Sequence, residues 1–221
     1  MTLRNLIRPA LVMFVALTVL TGVIYPLVVT GLSRLIWPTE AGGSLIDIGD
    51  GRRASSLIGQ SFKSDRYFWP RPSASGGFPY NPLASAGSNL APTNPALHDA
   101  VRERVRTLRA GSAEDTRPVP IDLVTASASG IDPHISVAAA EYQVARVARA
   151  RRMSEQGVRE LVAAHTEDRT LGILGEPRVN VLLLNLAIDR AEAAAARRAS
   201  HADEPPAELG FRAKGFLPAA K

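Results

Sequence analysis

The hydroxyls best arranged to do chemistry lie in two serine clusters, Ser73-Ala74-Ser75-Gly76 and Ser127-Ala128-Ser129-Gly130, the second closely followed by Asp132 and His134. A serine becomes a nucleophile when a base within hydrogen-bond reach takes its proton. Neither cluster carries the G-x-S-x-G elbow that presents a hydroxyl on a strained strand-to-helix turn. Asp132-Pro133 and Ser136 read instead as the turn chemistry of a helix entry. His98, His134, His165 and His201 stand more than thirty residues apart, a spacing that matches no zinc signature. The chain has no cysteine, which removes thiolate metal sites, disulfides and cysteine nucleophiles together. Phosphate-cradling G-x-x-x-x-G-K-[ST], dinucleotide G-x-G-x-x-G and metal-binding H-E-x-x-H motifs do not occur either.

The elements that would position these groups begin with an apolar run. Pro9 to Ser33 pass twenty-five residues without a charge, enough at about 1.5 Å per residue to cross a hydrocarbon core of roughly 30 Å with some tilt. A signal peptide would have a shorter run and an A-x-A-like cleavage site close behind it, and this run has neither. Gly22 and Pro26 call for a local adjustment or a kink, which a membrane helix tolerates. Arg4 and Arg8 before the run, against Arg34 alone after it, predict a cytoplasmic N-terminus. Trp37 suits the membrane interface, and Pro38 stops the helix. Arg4, Arg8 and Arg34 account for three of the +5 net charges, and the remaining +2 is no footprint for nucleic acid.

Beyond the span, 221 residues leave room for one domain with its own core. Ser44 to Ile48 and Ser56 to Ile58 read as strands around the turn Gly49-Asp50-Gly51. Residues 70 to 95 are too rich in Pro, Gly, Ser and Asn for a regular element, yet Tyr67, Phe68, Trp69, Phe78 and Tyr80 argue for an ordered loop. Those aromatics either dock on a partner or pack beneath the domain's own loop. Asn94 caps a helix with Pro95 at its first position and Leu97, Val101, Val105 and Leu108 on its apolar face. Ile121 to Ala126 reads as a strand, and Ser136 caps a helix with Val137, Ala140, Val144 and Val147 buried. Ser154 opens a shorter helix. Val179 to Ile188 fits strand or helix, with Asn180 as a cap favouring helix. After Ala191 the Ala/Arg-rich composition and Pro205-Pro206 predict a mobile tail.

Particular runs then become recognisable: Tyr25-Pro26-Leu27, Leu57-Ile58-Gly59-Gln60, Tyr67-Phe68, Arg71-Pro72-Ser73-Ala74, Tyr80-Asn81-Pro82 and Gly87-Ser88-Asn89-Leu90. The most specific is the unbroken stretch from Asp122 to Ser136, followed by Arg146 to Arg151 and Asn185 to Asp189. Over residues 3 to 190 the chain resembles the C subunit of the Kdp-type potassium-transporting ATPase of bacteria.

The resemblance implies an α+β protein: cytoplasmic residues 1–8, a transmembrane helix at 9–36, an extracytoplasmic domain at 37–190 and a tail at 191–221. It implies an inner-membrane accessory subunit that binds no cofactor tightly, while the complex handles ATP and potassium. The implied partners are a channel-like potassium-binding subunit, an ATP-hydrolysing P-type subunit and a small membrane subunit. The D-K-T-G-T run that would form an aspartyl phosphate is absent here, so hydrolysis belongs to a partner. Subunits of this kind are described as catalytic chaperones that raise ATP affinity, and they sometimes carry a nucleotide signature, Leu-Ser-x-x-Gln. Here that signature falls at Met153-Ser154-Glu155-Gln156-Gly157, with Gln156 displaced by one position. Tyr25, Pro26, Tyr67, Phe68, Arg71, Phe78, Tyr80 and Asn89 are the expected partner interface. The alternatives are a membrane-anchored solute-binding or hydrolytic domain, and an assembly scaffold unconnected with potassium.

Overall fold

The computed structural model describes residues 3–110 and 116–202. Helix α1 (Leu3–Val19) passes through a π-helical turn at Leu20–Ile24 into helix α2 (Tyr25–Ile36). The wide turn is how the chain absorbs Pro26, which has no N–H and whose ring would collide with the carbonyl one turn earlier, that of Gly22. Within it the Tyr25 N–H donates to the Leu20 carbonyl, and Thr21 Oγ1 donates to the Leu17 carbonyl at 2.7 Å. Leu6–Ile36 is long and apolar enough to cross a membrane, and the rest of the chain buries none of its most apolar stretch. Its 31 residues rise about 46 Å, more than a bilayer's hydrocarbon core.

Trp37 leaves helical geometry and Pro38 opens the short helix α3 (Pro38–Ala41). Strands β1 (Leu45–Asp47) and β2 (Arg53–Ser55) pair antiparallel, with Ile46 opposite Ala54. The second strand therefore starts at residue 53, not at the expected 56. Gly49, Asp50 and Gly51 all take positive φ, making a turn so tight that pairing resumes almost at once. Residues 56–94 form an ordered irregular loop whose one regular piece is a 3₁₀ turn at Pro82–Ala84. Helix α4 (Pro95–Ala110) follows, its first turn capped by Asn94 Oδ1 accepting the Ala96 N–H at 2.9 Å.

The strand expected at Ile121–Ala126 is instead a 3₁₀ turn at Ile121–Leu123. Pro118 and Pro120 remove donors just upstream. The Asp122 carboxylate turns back to accept the Ser136 backbone N–H at 2.8 Å and its hydroxyl at 3.2 Å. The elements β3 (His134–Ser136), α5 (Val137–Arg151), α6 (Glu155–Ala164), β4 (Thr166–Glu167), β5 (Arg178–Asn180) and α7 (Val181–Ala202) complete the described chain. The sheet is antiparallel with β5 between β3 and β4. Val179 to Ile188 thus serves as both strand and helix, and Asn180 caps the junction by accepting the Leu183 N–H at 3.2 Å. Ser136 and Ser154 cap α5 and α6 through the N–H groups of Ala139 and Gly157.

The core lies where α5, α6 and α7 meet the sheet. Val144 and Val147 from α5, Val158 and Val162 from α6, Val179 from β5, and Leu184 and Ile188 from α7 are at most 1 % exposed. At roughly 1.5–3 kcal/mol each, such side chains supply the domain's main stabilisation. Helix α7 runs straight through the Ala191 boundary expected for the tail, because Glu192 is engaged by Arg66 and Arg151. The rest of that expected tail, 203–221, lies outside the described residues.

Candidate functional site

The segment Asp65–Trp69 crosses between α5 and α7 with no strand partner, and buried side chains take over the role of a sheet ladder. Asn185 of α7 accepts the Phe68 N–H at 2.8 Å and donates to the Phe68 carbonyl at 3.0 Å. Gln143 of α5 does the same for Trp69, at 2.8 and 3.1 Å. Arg146 donates to the carbonyls of Asp65 and Tyr67 and lies 4.2 Å from the Trp69 ring centre. Burial pulls its guanidinium down to about 10, with the Asp65 charge opposing, so it stays cationic at neutral pH. Arg151 donates to the Arg66 carbonyl and to Asp189 and Glu192, while its plane covers Tyr67 at 4.6 Å. Burial disfavours its charge, but the two acids more than compensate and raise its pKa. An unpaired buried backbone group costs about 1–3 kcal/mol, which is why these polar side chains are worth burying.

A second lattice of bonds joins the two serine clusters. Ser73 Oγ donates to the Gly130 carbonyl at 2.6 Å and accepts the Tyr80 N–H at 2.9 Å. Ser85 Oγ donates to the Ser129 carbonyl at 2.8 Å, and the Ser127 N–H donates to the Pro72 carbonyl at 3.0 Å. Gly130 has φ +71° and presses against the Ala86 carbonyl, so only glycine fits there. His134 turns away from the serines towards Asp132 at 3.5 Å and Glu167 at 3.7 Å. Asp132 also holds Arg71 at 3.1 Å, and Glu167 holds Arg178 at 3.0 Å. Burial would raise the Asp132 pKa, but the His134 ring and backbone bonds and the Arg71 and His134 charges outweigh it and lower it. This set braces loops and has none of the nucleophile–base contacts that hydrolysis needs.

The expected interface residues divide sharply. Phe68 is fully buried and Tyr80 is 7 % exposed, so both pack beneath the domain's own loop and neither is a docking surface. The Tyr80 hydroxyl donates to the Arg71 carbonyl, and burial together with the Asp132 charge pushes the phenol up. Tyr67 is half-buried, its hydroxyl on Asp189 and its ring 5.2 Å from that of Phe62. Arg71 is likewise committed internally, to Asp132. Phe78, with 58 % exposure, and Asn89, in a left-handed turn, face outward, as do Tyr25 and Pro26 on the apolar helix. Leu83, unmarked by the sequence, stands 94 % exposed near Phe78 in the chain. Ser154 and Gln156 do not converge on a site: Ser154 caps α6 and the Gln156 amide donates to Glu160 at 3.1 Å.

A cavity of about 400 Å³ opens between this loop and α4, walled by Phe62, Trp69, Pro72, Tyr80 and Leu108 and rimmed by Lys63, Arg71 and Arg104. Among the described residues no group of three acids or histidines is placed to hold a metal. His165 spends Nδ1 on the Leu161 carbonyl at 2.9 Å, and His98 is exposed.

No motif in the local sequence marks Gln143 as a structural group, and Arg146, Arg151 and Asn185 stand out only as parts of recognisable runs. Their signal was a polar side chain among the apolar positions of α5 or α7: Gln143 and Arg151 stand four residues from buried Val147, Arg146 directly beside it, and Asn185 four and three residues from buried Val181 and Leu182.

A family model described as the c chain of the K+-transporting ATPase matches residues 7–190. The chain is 55 % identical over 192 residues to the potassium-transporting ATPase KdpC subunit of Burkholderia mallei (strain SAVP1), covering 87 % of this chain and all of that protein. It is 59 % identical over 188 residues to the subunit of the same name from Polaromonas naphthalenivorans (strain CJ2), covering 85 % of this chain and 95 % of that one. The runs Arg146–Arg151 and Asn185–Asp189, which hold the 65–69 segment, lie within the match, and with identity this high over nearly the whole domain the chain belongs to the KdpC family of K+-transporting ATPase subunits.

Proposed function

We propose that this chain is a non-catalytic accessory subunit of an ATP-driven potassium uptake complex, anchored in the cytoplasmic membrane with its N-terminus inside and its domain outside. The observation that carries this reading is the division of labour in the molecule. An apolar helix of 31 residues offers its whole surface to lipid and partners, while the domain's buried polar side chains are consumed in holding its own loops. Arg4 and Arg8 beside the helix start support the inward N-terminus.

The partners under this reading are the channel-like subunit, the ATP-hydrolysing subunit and the small membrane subunit. The outward-facing Phe78 and Leu83 are the domain's contact with the channel-like subunit, since large apolar side chains on a braced loop suit an interface core. Any effect on ATP affinity passes through the membrane helix as a coupling free energy, because the ATP site lies across the membrane from the domain. A pull-down of the tagged full chain in mild detergent, with mass identification, should recover all three partners. Phe78→Ala with Leu83→Ala should weaken recovery of the channel-like subunit about tenfold or more without lowering the domain's melting temperature. Undiminished recovery would remove the loop from the interface, and a different set of partners would overturn the reading as a whole.

A further inference from the structure

The cavity beside α4 is short of negative charge. Lys63, Arg71 and Arg104 stand around it, and the one acid in its lining, Glu103, is already paired with Arg106 at 3.5 Å. Arg71 spends Nη1 on Asp132, while its buried Nε has no partner among the described residues. Arg104 spends one N–H on the Val124 carbonyl, and burial lowers its pKa. Neither Arg104 nor Lys63 has a carboxylate within ion-pair distance among the described residues. A partly buried cation without a counter-charge is costly, and an anion at the mouth would offset that cost.

The walls between these cations are the rings of Phe62, Trp69 and Tyr80 and the prolines Pro70, Pro72 and Pro79. Such surface suits an extended, proline-bearing backbone, a form with little entropy left to lose on binding. A free inorganic anion would meet the rim and leave these walls bare, and an apolar molecule would leave the cations unpaired. The slot also adjoins an exposed knob. Phe78, 58 % exposed, directly precedes Pro79 and Tyr80 of the lining. Its loop is tied down: Ser75 Oγ donates to the Phe78 carbonyl at 3.0 Å, and Asn81 Nδ2 donates to the Gly76 carbonyl at 2.9 Å. Tyr80 takes φ +60°, an uncommon conformation for a bulky residue, and is buried as part of the wall while Phe78 stands outside.

We infer that the cavity receives an extended acidic segment, bearing proline or apolar side chains, from the partner polypeptide on which Phe78 docks. Its carboxylates face Lys63, Arg71 and Arg104, and its apolar side chains lie on the aromatic and proline walls. This rests on the reading of the Phe78 loop as the contact with the channel-like subunit, and it adds the chemistry that the subunit must present there. Phe78 then supplies apolar contact, and the cationic slot beside it supplies selectivity, because a basic segment would meet like charge.

The test uses the assembled complex, with the photo-crosslinking amino acid p-benzoylphenylalanine placed at one position of the full chain at a time. The positions are Thr107, exposed on the cavity wall, Phe78, and as control Leu171, 85 % exposed on the β4–β5 connection and outside the lining. Irradiation should join Thr107 to a partner peptide that carries Asp or Glu beside proline or apolar residues, in a yield about tenfold or more above that of Leu171. Lys63→Glu, at an exposed residue outside the core, should cut the Thr107 adduct about tenfold, since it sets like charges facing each other across the interface. Changing the acid found in that peptide to Lys should then restore the adduct, a rescue that no folding defect could imitate. Adducts from Phe78 with none from Thr107 would overturn the cavity's role and leave the loop's docking in place, whereas no adduct from either would remove both. An adduct of Thr107 with this chain itself, with lipid or with a peptide lacking acids would also overturn the inference, as would a yield indifferent to Lys63→Glu.

Discussion

Asp132 shows how one side chain can brace several loops and what that costs in acid. Its carboxylate meets Arg71 from the long loop, the backbone N–H of His134 at 3.0 Å and the His134 ring. Burial alone would raise its pKa, yet these neighbours bring it below the ordinary aspartate value of about 3.9. The sign follows from linkage: a carboxylate with a depressed folded pKa stabilises the fold fully above its unfolded value and loses that contribution as pH falls through the folded one. Asp132→Asn should therefore melt lower than the unaltered chain at pH 7, and the gap should narrow as pH drops below about 4. Tryptophan fluorescence in detergent at pH 7 and pH 3 reads both melting temperatures. A gap of constant size would mean that Asp132 acts through packing alone. Asp132, His134 and the serines Ser127 and Ser129 are legible as a group, because they lie within eight residues of one another. That His134 points at Glu167, thirty-three residues on, instead of at a hydroxyl is not written in any local pattern.

At the scale of elements, the difference between what was legible and what was not is a difference of range. Asn94, Ser136, Ser154 and Asn180 were all read as caps, and all four cap, because a cap bonds N–H groups two or three residues away. The strand expected at Ile121–Ala126 failed because the Asp122 bond to Ser136, fourteen residues distant, outweighs local β-propensity. The Asp65–Trp69 segment was illegible for the same reason on a larger scale: its partners lie on α5 and α7, 74 to 126 residues away. That segment behaves as a strand whose neighbours are helices. Asn185→Ala would leave both the N–H and the carbonyl of buried Phe68 without partners, at a cost of about 2–6 kcal/mol. The expected result is a melting temperature lower by roughly 5–15 °C with the ion pairs of Arg151 left in place. A drop no greater than that of an exposed control such as Arg152→Ala would show that water or a shifted loop replaces the amide.

Taken as a whole, the molecule is an apolar helix long enough to cross a membrane and a domain that share little. The apolar stretch of Leu6–Ile36 is uncovered by the domain, and the break at Trp37 and Pro38 separates the two. Helix changes should therefore leave domain stability alone, which gives a way to test whether the helix transmits anything. The π turn at Leu20–Ile24 is the one irregular piece of the span, and it exists because Pro26 cannot complete an ordinary turn. Pro26→Ala lets a regular helix form and rotates everything before the turn relative to everything after it, moving Arg4 and Arg8 around the axis with respect to Tyr25. The domain's melting temperature should change by no more than the equivalent of about 0.5 kcal/mol, as for a surface substitution. If the helix is the route between domain and motor, the ATP concentration for half-maximal hydrolysis by the assembled complex should shift several-fold, within the 5–150-fold range of ordinary allosteric couplings. An intact complex with unmoved ATP dependence would confine the helix to anchoring, and a lowered domain melting temperature would show that helix and domain are not independent after all.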